Sequence, residues 1–234
     1  MSLFIVATPI GNLSDMTERA IKTLKTSSLI VAEDTRTTRK LLDRYGITTA
    51  IQSFHQHSSP EKVQQILAEL SSGRDVALVT DAGTPGVSDP GGELIAAAVR
   101  SNEAARANEN QEIAIVPIPG PSALAALLSV ADFESEPSVF VGFLPKKKGR
   151  TTLLAALKAA SSKHGIHSIV LYESPYRIQK TLVELGRIFG DEARVVVGRE
   201  LTKQFEEVWY GTVTEAAKYF SAPKGEFTLI VKTN

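Results

Sequence analysis

The stretch VALVTDAGTPGVSDPGG, residues 76–92, decides how the chain is read. Its first four residues, Val76 to Val79, are apolar without interruption, so both faces of the strand they predict need cover. That pattern suits a parallel sheet between two layers of helices better than a sheet wetted on one side. Thr80 and Asp81 end the run, and the loop beyond them holds Gly83, Pro85, Gly86, Pro90, Gly91 and Gly92. Glycine lets another molecule approach the backbone closely, and proline fixes the course of a loop. Such a loop offers peptide N–H and C=O groups at the sheet edge instead of side chains.

Working outward, the same pairing of apolar run and helical pattern recurs. LFIVAT (3–8), SLIVAED (28–34) and IAIVPI (113–118) read as further buried strands. Helical spacing runs through 17–26, 38–46, 60–73 and 92–101, and the third of these has Pro60 near its start and Gly73 after its end. After residue 118 the rhythm changes. Strands are expected at 138–144, 168–174, 194–201, 206–213 and 226–233, with helices only near 121–130, 151–160 and 176–189. The close pair RVVVGREL and EEVWYGTV implies antiparallel pairing late in the chain. Two α/β domains are therefore expected, 1–118 and 119–234, with the polar segment 101–112 as a surface loop or helix end.

Bulk properties narrow the function classes. The chain of 234 residues carries 26 Lys+Arg and 26 Asp+Glu, so no overall charge points to nucleic acid or membrane, and only a local basic site is open. There is no cysteine, which excludes disulfides, thiolate metal sites and cysteine nucleophiles. The apolar run near Met1 is too short for a signal peptide or membrane span, so a cytoplasmic location is expected.

Four strand ends open into loops of one character: ATPIGNLSD (7–15), TDAGTPGVSDPGG (80–92), PIPGPSALAA (117–126) and LYESPYR (171–177). In a parallel sheet the carboxyl ends of strands share one edge, where ligands bind. A tight turn alone would explain any one of them; four together favour a ligand-facing edge. None matches GxxxxGK[ST] or GxGxxG, which argues against a nucleotide phosphate cradle. A nucleoside-bearing ligand without a phosphate chain fits better.

These motifs, with VAEDTRTTRKLL (31–42), SFHQHS (53–58), VGFLP (141–145), VGRELTK (197–203) and GEFTLIV (225–231), follow one another in an order that resembles the tetrapyrrole methylase superfamily of S-adenosylmethionine (SAM) enzymes. Within it the chain is most similar to the branch that acts on small-subunit ribosomal RNA. EDTR, DAGTPGVSDPG and ESPYR are the most specific matches. The resemblance implies a tetrapyrrole methylase-like α/β fold, two α/β domains with a SAM cleft between them, and a homodimer. It implies donor contacts at Pro9, Ala82, Gly83, Thr84, Val87, Ser122, Ala123, Tyr172, Glu173 and Leu201, largely through the backbone. The implied reaction is SAM-dependent methylation of the 2′-hydroxyl of a cytidine in the decoding region of 16S ribosomal RNA, on the small ribosomal subunit. Relatives usually continue beyond GEFTLIV with a further segment, and their link corresponding to 101–112 is shorter.

Methyl transfer to a hydroxyl needs a group that takes or steers its proton. Asp34 is the first choice as base; the alternative is a carboxylate that caps the next helix or pairs with Arg36. Arg36 is a candidate phosphate contact, and Lys203 a candidate near the nucleophile, although RE…K at a strand end also makes a plain ion pair. His55 and His57 would share a side on a strand, but no third ligand has metal-site spacing, so no metal is expected. Asp81 is open between contact with ligand or substrate and bracing of its loop, and Arg39, like Arg36, between an RNA phosphate and a solvated helix face. PKKKGR (145–150) is the one dense basic run, a candidate for RNA phosphates or simply a solvated loop. Two rivals remain: methylation of a corrin or porphyrin precursor, and a non-catalytic nucleoside-binding module of ribosome assembly.

Overall fold

Val76–Val79 forms the central strand, β4, of the first sheet. In the computed structural model, which describes residues 1–233, the chain divides into two compact units, Met1–Ser122 and a second beginning at Ala123. The first unit runs β1 (Ser2–Val6), α1 (Glu18–Thr26), β2 (Leu29–Ala32), α2 (Thr35–Arg44), β3 (Ile51–Ser53), α3 (Pro60–Ser71), β4, α4 (Gly92–Ala107) and β5 (Ala114–Ile118). Its sheet has the order β3-β2-β4-β1-β5, and every pair is parallel.

Alternate side chains of β4 go to different cores. Val76 and Leu78 pack with Leu3, Ile5 and Val31 under Val63, Ile66 and Leu70 of α3 and Leu94 and Ala97 of α4. Ala77 and Val79 pack with Val6, Ile30 and Ala32 under Ala20 and Leu24 of α1 and Leu41 and Leu42 of α2. The unbroken apolar run is thus the consequence of two helical layers on one sheet.

The second unit comprises α5 (Ala123–Leu128), β6 (Ser138–Phe143), α6 (Arg150–His164), β7 (Ser168–Glu173), α7 (Ile178–Phe189), β8 (Arg194–Arg199), β9 (Glu207–Thr212), α8 (Val213–Tyr219) and β10 (Phe227–Lys232). Its sheet order is β6-β7-β10-β8-β9. Only β6 and β7 run parallel; β10 is antiparallel to β7 and β8, and β8 to β9. Ile169, Leu171, Val195, Val197, Leu229 and Val231 face the core shared with α6, α7 and α8. On the other face α5 lies close enough to β8 that a Cβ on Gly198 would come within 2.8 Å of Leu127 Cδ1.

Local chemistry accounts for several boundaries. α2 begins at Thr35, earlier than its spacing predicts, because Asp34 caps it by accepting from the Arg36 amide. α4 continues to Ala107, so the polar segment 101–112 is half helix, fastened where the Asn102 side chain bonds both the amide and carbonyl of Ile113. β3 is only three residues long and half-exposed, too weak a pattern to announce itself. It ends at Ser53, and His55 and His57 lie in the turn beyond, so the strand geometry assumed for them does not hold. α8 was not expected either; its signal is the capping box of Thr212 and Glu215, hidden behind the strand pattern of β9. Among the described residues no helix is long and apolar enough to cross a membrane.

The return from the β4 loop into α4 depends on glycine. Gly91 has φ 126°, and a Cβ there would lie 2.9 Å from a methyl of the buried Leu78. Gly91→Ala is expected to lose about 1–3 kcal/mol in urea unfolding, while Gly92→Ala, with nothing within 4 Å of its added Cβ, stays close to the parent.

Candidate active site

The carboxyl ends of β1, β4 and β5 are sewn to one another by their own backbone. Thr8 and Gly83 exchange both hydrogen bonds of an antiparallel bridge, the Thr8 amide donating to Gly83 O at 2.8 Å and the Gly83 amide to Thr8 O at 3.0 Å. The Ala7 amide donates to Ile118 O at 3.1 Å, and the Thr8 hydroxyl to Thr80 O at 3.2 Å. Thr84 Oγ1 reaches Pro121 O at 3.5 Å. Gly120 permits the closest approach, since its Cβ would sit 3.0 Å from that of Ala7. Gly83 and Gly86, at φ 76° and 84°, turn the β4 loop where other residues would be strained.

Pro9, Ala82, Gly83, Thr84, Val87 and Ser122 all lie on this sewn strip. Pro9 and Gly83 are buried; Thr84, Val87 and Ser122 are half-buried, and Ala82 is exposed. With side chains this small, the strip presents mostly peptide groups. It fits a ligand recognised by backbone hydrogen bonds and shape, and it offers no cluster of charge for a phosphate chain.

Beside the strip stands a group of carboxylates. β2 and β4 are parallel neighbours with Ala32 opposite Val79, so the residues just past their ends come together. The Asp34 amide donates to Asp81 Oδ1 at 3.0 Å. Asp34 accepts from the Arg36 amide at 2.8 Å and from its guanidinium at 3.1 and 2.7 Å through Nε and Nη2. Both structural alternatives for Asp34, helix cap and ion pair, are therefore realised at once. Arg36's side-chain bonds, followed by its amide, hold the Asp34 carboxyl down at about 2. Glu33, which the sequence reading passed over, behaves in the opposite way: burial first, then the charge of Asp81, push its carboxyl above the usual range. His55 adds a weaker opposing influence on Glu33. The adjacent acids of ED thus have environments that separate their acidities. His57 donates its amide to His55 Nδ1 at 3.2 Å, a turn contact. No group of three His, Cys, Asp or Glu suited to a metal is found among the described residues.

The second unit supplies its own strand-end loops. The Glu173 side chain has no exposed surface and is fully engaged. It pairs with Arg177 at 2.7 Å, accepts from Thr181 Oγ1 at 2.7 Å and from the Ser174 amide at 2.8 Å, and lies 3.7 Å from Arg150. Only its main chain is left to offer a ligand. Tyr172, on the same strand, packs edge-on against Phe140 and Phe143. Ala123 opens α5, and Leu201 is buried in a turn whose neighbours Glu200 and Thr202 have φ 49° and 68°. Lys203 bonds Glu200 and Glu226, each at 2.8 Å. Burial works against its ammonium, but the two carboxylate bonds outweigh it and raise its pKa. Lys203 therefore sits in an ion-pair cluster, the structural alternative considered for it. Arg150, Thr181 and Glu184 were not singled out from sequence. Arg150 closes the basic run PKKKGR, yet it is buried and bonds Glu184 at 2.5 Å and Thr181 at 2.6 Å.

Comparison with known proteins decides the family. Residues 2–217 match the family described as Tetrapyrrole (Corrin/Porphyrin) Methylases. The chain belongs to the tetrapyrrole methylase family. Within this methylase family it resembles proteins named Ribosomal RNA small subunit methyltransferase I. One from Synechocystis sp. is 46% identical over 98% of this chain and 78% of its own length. Those from Mesorhizobium japonicum and Halalkalibacterium halodurans are 42% and 41% identical, covering 98% and 100% of this chain and 74% and 76% of theirs. The methylase fold also matches two solved structures at TM-score 0.63 and 16% identity, covering 99% of this chain and 94% of each. These are the cobalamin biosynthetic enzyme cobalt precorrin-4 methyltransferase and uroporphyrin-III-C-methyltransferase from Thermus thermophilus. The family makes this chain a methyltransferase.

Two outcomes follow from the charges. A carboxylate whose pKa is depressed by folding stabilises the fold above the ordinary carboxylate range and loses that contribution as pH falls. Carbon NMR should thus find Asp34 ionised until about pH 2, and Arg36→Gln should return its titration toward about 4. Glu173→Gln removes the carboxylate that pairs with the part-exposed Arg177, while Arg150 keeps Glu184, and is expected to cost about 1–3 kcal/mol in urea unfolding.

Proposed function

We propose that this chain transfers a methyl group from SAM to the ribose 2′-hydroxyl of a cytidine in the decoding region of 16S ribosomal RNA, on the small ribosomal subunit. The observation that carries this reading is the shared name, Ribosomal RNA small subunit methyltransferase I, of relatives 41–46% identical over nearly the whole chain. The reading includes a homodimer working in the cytoplasm, with no metal taking part.

The sewn strip supports it chemically. Main-chain groups at Ala82, Gly83, Thr84 and Val87, flanked by Pro9 and Ser122, would hold the donor. When bound, SAM supplies a methyl group on a positively charged sulfur, open to in-line displacement. Because charge disappears as the new bond forms, the chain's task is alignment and exclusion of water. A rigid backbone lattice does this without flexible charged side chains.

The departing proton needs a destination. Asp34 is the proposed acceptor, at the end of β2 beside the strip. While Arg36 grips it, its carboxylate is a weak base. Arg36 is highly exposed, so an RNA phosphate can compete for its guanidinium. Arrival of the acceptor strand would then release Asp34 and restore its basicity. Lys203, bonded to Glu200 and Glu226, braces the turn that carries Leu201.

The test supplies labelled SAM with assembled small subunits, with free ribosomal RNA and with a tetrapyrrole precursor, separately. Label is expected on the RNA of the subunits, at the 2′-oxygen of a cytidine. Label on the precursor alone overturns the RNA reading. Asp34→Asn is expected to slow transfer by roughly 10²–10⁴-fold with the calorimetric signal of SAM binding retained; an undiminished rate removes Asp34 as acceptor.

A further inference from the structure

The loops after β6 and β7 join charge to exposed aromatic surface in a way the basic run alone did not reveal. Tyr176, in the Ser174–Arg177 turn, is 96% exposed, and Phe143, the last residue of β6, is 53% exposed. Between β6 and α6 stand Lys146, Lys147 and Lys148, all exposed and without an ion pair among the described residues. β6 and β7 are parallel, with Phe143 opposite Tyr172, so both loops leave the same sheet edge side by side.

Buried charge fixes this surface in place. Arg177 is anchored on Glu173 and donates through Nη1 to Leu144 O at 2.9 Å, tying the tyrosine turn to the start of the lysine loop. Arg150, anchored on Glu184 and Thr181, lies at the other end of that loop, its Nη1 3.4 Å from Pro145 O. Both arginines are therefore spent on scaffolding. Across 143–150 and 174–177 the formal charges left over are the three lysines. Phe143 is backed edge-on by the Tyr172 ring at 5.7 Å, which limits its freedom.

Large exposed rings on a held backbone, next to unpaired cations, are the elements by which proteins hold unpaired nucleic acid. Bases stack on the rings and phosphates meet the ammonium groups. A duplex keeps its bases stacked inside and gains nothing from Tyr176. A lipid surface would need a longer apolar face than two separated rings. We infer that the surface formed by Phe143, Lys146, Lys147, Lys148 and Tyr176 docks an unpaired segment of RNA, with Tyr176 stacking on a base and the lysines neutralising its phosphates. This rests on the reading that the methyl acceptor is RNA, and extends it to the surface of the second unit that grips the strand.

The test measures fluorescence anisotropy of a short labelled single-stranded RNA, and of its duplex, with the full chain. Tyr176→Ala is expected to weaken single-strand binding by about tenfold, and Tyr176→Phe to stay within about twofold. The triple change Lys146→Gln, Lys147→Gln, Lys148→Gln is expected to make the negative slope of log affinity against log salt shallower by about 2. Thermal unfolding should be unchanged in each, since none of these side chains is buried. The inference is overturned if the single strand does not bind, if Tyr176→Ala binds as the parent does, if Tyr176→Phe loses as much as Tyr176→Ala, or if the duplex is weakened equally. The two readings fail separately. Label transfer to subunits alongside an inert Tyr176→Ala removes this surface alone; a Tyr176 effect without label transfer removes the methylation reading alone.

Discussion

The double hydrogen bond between Thr8 and Gly83 is the constraint on which the first unit's chemistry depends. It joins the loop after β1 to the loop after β4, although neither is regular structure. Loops rich in glycine have much conformational entropy to lose, and unrestrained they would be poor templates for a ligand. Here that loss is met during folding. The bridge, the Ala7–Ile118 bond and the tight contact at Gly120 convert three loops into one edge. What the edge then offers is peptide geometry, already fixed when a ligand arrives.

Charge is handled differently in the two units. In the first, the carboxylates at the ends of β2 and β4 lie at or near the surface, where their surroundings tune them singly: Arg36 pulls Asp34 down while burial, then Asp81, push Glu33 up. In the second, Glu173 is buried and satisfied by four neighbours, and its work is mechanical. It uses the arginines of two loops as struts. The same residue types thus tune acidity at one strand edge and hold loops at another, and burial decides which.

Much of this was legible in the sequence. Apolar runs such as VALV alternating with helical patterns pointed to the parallel, doubly covered first sheet; an unbroken run alone does not, since β10 is buried on both faces while antiparallel to both its neighbours. The glycine and proline loops were placed correctly at strand ends because those residues act locally. Three features were not legible. β3 is short and half-exposed, so it borrows its conformation from β2 rather than declaring it. The burial of Arg150 is a matter of tertiary pairing, and in sequence it is one more basic residue in PKKKGR. The exposure of Tyr176 is hidden for the converse reason, since an aromatic residue beside a strand normally reads as core. Glu33 was legible in part: it opens EDTR and directly follows the apolar run of β2, the position at which an acid meets burial.

The order of strands in the second sheet has a consequence for biosynthesis. β10 occupies the middle, between β7 and β8, yet it is the last of the five to emerge from the ribosome. Until it does, β7 and β8 have no common partner, and each exposes an unpaired edge and a row of apolar side chains. The first unit also waits for a central strand, since β4 joins β2 to β1, but all five of its strands precede Ser122 and it is complete before β6 is made. The nascent chain therefore passes through a period in which one half is finished and the other is adhesive, and chaperone capture should concentrate on the segment from β6 to α8.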